Sequence, residues 1–135
     1  MIQNKIVVHF VDGRVLRGHT GDFLPTKSSF HLSPVEPTSQ AKPLEVRVAD
    51  LKAIFFVKEF NTKPHVNPHR QEFDPSKPIA GRKIRVLFRD GEILMGITQG
   101  YDPRRAGFFV VPDDPASNNE RCFVVTDSTK DVTFI

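Results

Sequence analysis

Apolar and polar residues alternate along Lys5–Phe10, with Ile6, Val8 and Phe10 on one parity. The alternation returns along Lys83–Phe88 with Ile84, Val86 and Phe88. A period of two marks a strand with one buried face. Each run leads into Asp-Gly, at Asp12-Gly13 and Asp90-Gly91, and a second apolar run follows. Asp-Gly tolerates the positive φ angles of a type I′ turn, so each pair of runs predicts a hairpin closed by two residues. In the second hairpin that turn sets Phe88 opposite Ile93, Val86 opposite Met95 and Ile84 opposite Ile97, six apolar residues on one core-facing surface. In the first, the same register puts Arg17 and His19 on the face of Val8 and Phe10.

The two hairpins belong to a longer correspondence. At a constant offset of 78, residues 5–34 lie over 83–112 without a gap, and twelve of the thirty positions are identical. The register returns where Lys52–Val57 lies over Lys130–Ile135. Similarity that holds at both ends of a unit indicates duplication. Further strands are predicted near 30–33 and 108–111, 44–48 and 121–125, and 53–57 and 131–135. Gly18 and Gly96 hold matching places in the second strand, where a missing side chain allows a bend or a close backbone approach. Five short strands with a bent second strand suggest a small barrel. The expected fold is therefore all-β: two tandem copies of a five-stranded small barrel. The first repeat is 1–57, a proline-rich strap is 58–82, and the second repeat is 83–135. Pro64, Pro68, Pro75 and Pro78 exclude a regular helix from the strap, and Phe60, Phe73 and Ile79 are expected to dock it.

Composition narrows the function. Of 135 residues, 39% are hydrophobic and 26% charged, the balance of a folded domain. No apolar run approaches the length that crosses a bilayer, so no membrane partner is expected. A single cysteine, Cys122, excludes an internal disulfide and fits a reducing compartment, and together with the absence of a signal-peptide core suggests a cytoplasmic protein. The net charge of +3 neither announces nor excludes a nucleic-acid surface. Twelve Phe, one Tyr and no Trp read as core filling.

The segment Val8–Gly18, with Val86–Gly96 and the following Tyr101-Asp102, resembles the first motif of the Sm-like family: a strand, Asp-Gly, a hydrophobic residue and then Gly. That resemblance implies that each copy is a small barrel of Sm-like or SH3-like type. Its uridine site uses an Asp with an Asn four residues on, plus an Arg-Gly pair. Here Asp102 is followed by Ala106, the first copy has Leu24 and Ser28, and neither Ala49-Asp50-Leu51 nor Thr126-Asp127-Ser128 contains Arg-Gly. The turn from Asp102 to Gly107 also resembles the Asp-x-Ser-x-x-Gly turn of PilZ domains, which bind cyclic dinucleotides, with Arg104 in place of Ser. Taken whole, the chain resembles an uncharacterised bacterial family of tandem small-barrel repeats, for which the resemblance implies no activity.

No residue set predicts catalysis. Cys122 alternates with strand residues and reads as a buried structural thiol, although Arg121 beside it could lower a thiol pKa. Asp113-Asp114 sits among prolines and reads as a solvated turn. His65 and His69 are four apart, but the prolines beside them deny the helix that would align them. His9, His19 and His31 lie in the first copy alone and read as solvent-facing strand positions, so neither a metal nor another cofactor is expected. The candidate ligand-binding residues are Arg82, Arg85, Tyr101, Asp102, Arg104 and Arg105, a basic patch with an aromatic edge that could take a phosphate-bearing ligand. Two readings stay open. One is a non-enzymatic binding or adaptor module with a protein partner. The other is binding of a nucleotide or RNA through the basic loop. The oligomeric state is not legible.

Overall fold

The computed structural model describes residues 3–35, 42–60, 81–112 and 119–135. The first half holds β1 (Asn4–Phe10), β2 (Val15–Thr20), β3 (Ser29–Pro34), β4 (Leu44–Arg47) and β5 (Leu51–Val57). The second holds β6 (Arg82–Phe88), β7 (Ile93–Thr98), β8 (Gly107–Pro112), β9 (Asn119–Val125) and β10 (Thr129–Phe134). Single 3₁₀ turns at Val48–Asp50 and Thr126–Ser128 join β4 to β5 and β9 to β10. The all-β expectation is met. The ten strands of the described residues form one open antiparallel sheet in the order β10-β6-β7-β8-β9-β5-β1-β2-β3-β4. Most of the strap, with Phe73, Ile79, His65 and His69, lies outside the described residues, as do Asp113 and Asp114. Of the strap's docking residues Phe60 is described, and its ring meets His19 edge-on at 5.3 Å.

The pairing registers recur at the offset of 78. Ile6 faces Phe56 as Ile84 faces Phe134, and Phe30 faces Val46 as Phe108 faces Val124. The irregularity in each terminal pairing falls at the corresponding lysine, Lys52 in β5 and Lys130 in β10.

The hairpin loops differ from the two-residue expectation. Phe88 N–H donates to the Glu92 carbonyl at 2.9 Å and Gly91 N–H to the Phe88 carbonyl at 3.0 Å, so Arg89-Asp90-Gly91 is a three-residue loop; Val11-Asp12-Gly13 is closed the same way. Only the glycine takes positive φ, +98° at Gly13 and +94° at Gly91. A type I′ turn would force the aspartate there too. Instead each aspartate carboxylate accepts the amide two residues on, Arg14 or Glu92, at 3.0 Å. One extra loop residue shifts the second strand by one and turns its faces over. Ile84 therefore faces Gly96 and Val86 faces Leu94, while Ile93, Met95 and Ile97 point to the other face and are only half-buried or exposed. Arg17 and His19 likewise leave the face of Val8, and Leu16, Gly18 and Thr20 take it.

Gly18 and Gly96 meet their expectation. A Cβ on either would collide with the carbonyl oxygen of Ser33 or Val111 on the next strand. Ile6, Val8, Phe10, Ile84, Val86 and Phe88 are buried as expected, and Phe30, Ile54, Phe56 and Phe108 are buried with them. Val132 and Phe134 are only partly buried because β10 is an outer strand.

The buried side chains form two cores, and the central ribbon of β5 and β9 serves both. Leu51, Ile54 and Phe56 of β5 join Phe123 and Val125 of β9 in the first core. The alternate residues Ala53, Cys122 and Val124, with Phe55 packed against them, join the second. A strand covered on both faces must be apolar at consecutive positions, which accounts for the unbroken runs Ala53–Val57 and Cys122–Val125. Each half thus completes its core with side chains from the other.

Candidate functional site

A cleft of about 1230 Å³ opens where the loop after β7 in the second half approaches the tip of the β2–β3 loop, at Pro25 and Thr26. One wall is built at the end of β7. The buried Thr98 hydroxyl donates to the Phe109 carbonyl at 2.8 Å and lies 3.3 Å from the Gly100 amide, which tethers the chain as it leaves the sheet. Tyr101 follows, its ring edge-on to Phe108 at 4.7 Å and 6.0 Å from Phe134.

The turn beyond Tyr101 is fixed by hydrogen bonds. The Asp102 carboxylate accepts the Arg104 amide at 2.9 Å, and the Arg105 amide donates to the Asp102 carbonyl at 3.0 Å. Thr126 ties the far side, its hydroxyl donating to the Arg105 carbonyl at 2.8 Å and its amide to the Ala106 carbonyl at 2.9 Å. At Gly107 a Cβ would strike the Phe123 ring, so the glycine lets the loop's base lie against the aromatic floor. That floor is Phe109 and Phe123, edge to face at 5.1 Å. Arg121 lies over it, its guanidinium carbon 4.4 Å from the centre of Phe56 and 5.3 Å from that of Phe109. Stacking of this kind holds a guanidinium in place while leaving its N–H edge free to meet a ligand.

Of the candidate residues, the cleft gathers Tyr101, Asp102 and Arg105. Arg104 is highly exposed and turned back onto Asp102, two of its nitrogens 3.1 Å from the carboxylate. Hydrogen bonds from the Arg104 side chain and amide hold the Asp102 carboxyl below its usual range, so it is ionised and already neutralised. Arg82 stacks on Phe134 at 4.0 Å, and Arg85 is exposed on β6, opposite Met95 and Thr133. The cleft lining includes none of these three arginines. Among the described residues Arg105 and Arg121 are its cations, and Arg121 is not one of the candidate residues. Its counterpart at the offset of 78 is Pro43, a break in the correspondence that could have singled it out.

The histidines and the cysteine fall elsewhere. His31 Nδ1 meets the Asp22 carboxylate at 2.7 Å, and His9 lies edge-on to Phe55 at 4.8 Å. Burial, with Lys52 nearby, holds the His9 pKa below its ordinary value, so the ring stays neutral. Cys122 is fully buried, and burial pushes its thiol far above the range in which a thiolate forms, as befits a structural cysteine. Among the described residues no helix is long and apolar enough to cross a membrane.

Residues 2–135 match the model of a protein family described as a family of unknown function, DUF6982. No curated protein and no solved structure matches the chain.

Proposed function

The chain belongs to that family of unknown function, and from its own geometry we propose that it is a non-enzymatic binding module whose recognition surface is this cleft. The observation that carries the reading is the meeting of an aromatic floor with two guanidinium groups, Arg105 and Arg121, at the junction of the two halves. Asp102 adds no free negative charge there, because Arg104 neutralises it. The complementary ligand is a polypeptide segment that offers an apolar side chain to Phe109 and Phe123 and a carboxylate to the arginines. Charge-assisted bonds to planar guanidinium then fix its orientation. On this reading the halves are copies of one Sm-like small-barrel unit set side by side, which the registers repeated at 78 support, and the protein works in the cytoplasm.

A nucleotide or short RNA is the second reading, since the same guanidinium pair suits phosphate and the same rings suit a base. Selection from a displayed random peptide library, followed by calorimetry at low salt, tests the first. Cyclic dinucleotides and single-stranded RNA titrated alongside test the second. Selected peptides should be acidic and apolar, and Arg105→Ala should weaken them by roughly tenfold or more. Peptides that bind Arg105→Ala/Arg121→Gln as well as wild type would place recognition elsewhere. Binding by nucleotides alone would transfer the cleft to the second reading.

A further inference from the structure

The sheet has two outer strands, β10 and β4, and the offset of 78 makes them the counterparts of β5 and β9, which pair at its centre. A second copy could in principle repeat the central contact, laying its β4 against this chain's β10. We infer that the outer edges are built to refuse that contact, so that assembly stops at one chain.

The central contact depends on three groups of residues, and each is altered in the contact a second copy would make. The first is apolar side chains. Ala53 and Phe55 of β5 lie opposite Val124 and Cys122 of β9 on one face, and on the other Ile54 lies opposite Phe123, with Val125 further along β9. The counterparts of Ala53 and Phe55 are Asp131 and Thr133 on β10, and those of Phe123 and Val125 are Glu45 and Arg47 on β4, all exposed. Charged residues on a short edge strand are a recognised defence against edge pairing, and β4 has only four residues.

The second is a latch. Lys52 reaches from β5 to the second hairpin, its Nζ 2.7 Å from Asp90, 2.8 Å from Glu92 and 4.7 Å from the centre of the Phe88 ring. In the first hairpin the counterparts of Asp90, Glu92 and Phe88 are Asp12, Arg14 and Phe10. There Arg14 does the lysine's work from within: its Nε lies 2.8 Å from Asp12 and its guanidinium 4.5 Å from the Phe10 ring centre. An incoming Lys130 would find the carboxylate and the ring occupied, and a positive charge where Lys52 finds Glu92.

The third is a hydrogen bond. The buried Ser128 hydroxyl lies 2.8 Å from the Lys52 carbonyl, across the halves, and 2.7 Å from the Val125 carbonyl, so its one hydrogen serves both acceptors. Its counterpart is Asp50, and an ionised carboxylate has no hydrogen to give to a carbonyl. Three changes all oppose a second copy, and each stands at the counterpart of a residue that serves the central contact.

Light scattering on the full chain, with separate edge variants, tests this. Wild type should have the mass of one chain, 15.3 kDa, at every micromolar concentration tried. A donor variant, Asp131→Ala/Thr133→Phe, and an acceptor variant, Arg14→Glu/Asp50→Ser/Glu45→Phe/Arg47→Val, should each remain single. Mixed in equal amounts they should double the mass and stop there, because their other edges are unchanged. If the apolar replacements on β4 impair folding, Arg14→Glu/Asp50→Ser replaces that acceptor, since both positions are exposed, and the mixture is read the same way. A wild-type mass of two or more copies overturns the inference. So does a mixture that stays at one chain while both variants keep the wild-type circular dichroism and a cooperative melt.

Discussion

Phe123→Ala tests whether the two halves are one thermodynamic body. The residue belongs to the second half, yet its side chain is 1% exposed inside the first core, with its ring centre 5.0 Å from that of Phe23 and 5.1 Å from that of Phe109. Truncating a buried phenylalanine costs about 3–5 kcal/mol, most when the surroundings cannot collapse into the space. Here they are held off: the ring packs on the backbone at Gly107, which is fixed in β8 by its pairing with Val125. The upper part of the range is expected, against a total stability of about 5–15 kcal/mol for a domain. With a urea dependence of about 1–3 kcal/mol per molar, the midpoint should fall by at least about 1 M. The assay has two channels. Far-UV circular dichroism reports the whole sheet, and Tyr101, the only tyrosine in a chain without tryptophan, reports the second half by fluorescence. Both midpoints should move together. If the dichroism falls early while the Tyr101 signal keeps its wild-type midpoint, the halves unfold separately and the shared-core argument fails.

Three further outcomes follow from described contacts. Gly96→Ala should destabilise by more than the usual few tenths of a kcal/mol for a surface change, because its Cβ meets the Val111 carbonyl, and the drop in melting temperature measures it. Stability should be greatest between the acid and alkaline limits of the Lys52 latch. Hydrogen bonding from Lys52, then from the Glu92 amide, holds the Asp90 pKa below its unfolded 3.8, so that contribution is full above 3.8 and lost as pH falls through the folded value. For Lys52, burial opposes the charge but Asp90 and Glu92 outweigh it; its pKa is raised above 10.5, so its contribution is present below that value and lost as pH rises through the folded one. Lys52→Met should flatten both limbs of a melting-temperature profile against pH. Cys122 should resist alkylation in the native state and react on addition of denaturant, and rapid native labelling would contradict its burial.

Much of this was readable from the chain. Alternation in Lys5–Phe10 and Lys83–Phe88, with the prolines that close β3 and β8, marks strands because each segment's local pattern agrees with its burial. The hairpin register was not readable, since Asp-Gly suits both a two-residue turn and the tail of a three-residue loop, and only the φ of Asp12 and Asp90 separates them. Strand neighbours were also hidden. The unbroken apolar run Ala53–Val57 signals burial on two faces, but nothing in it names β9 as the strand that pairs with it. The cleft was half visible: Tyr101, Asp102 and Arg105 share one loop, whereas Arg121 reaches them only through the β8–β9 pairing.

The two-sided burial of β5 has a consequence during synthesis. Val57 leaves the ribosome sixty-two residues ahead of Asn119, the first residue of the strand that pairs with it. At about 5–20 residues per second, β5 waits roughly 3–12 s with one edge unpaired. The waiting stretch, Ala53-Ile54-Phe55-Phe56-Val57, is uncharged, free of proline and rich in strand-forming residues, the composition that stacks most readily between chains. Crowded polysomes would bring many such edges together before any has its partner. The segment most in need of a chaperone's grip on the nascent chain is therefore among the most deeply buried in the finished protein.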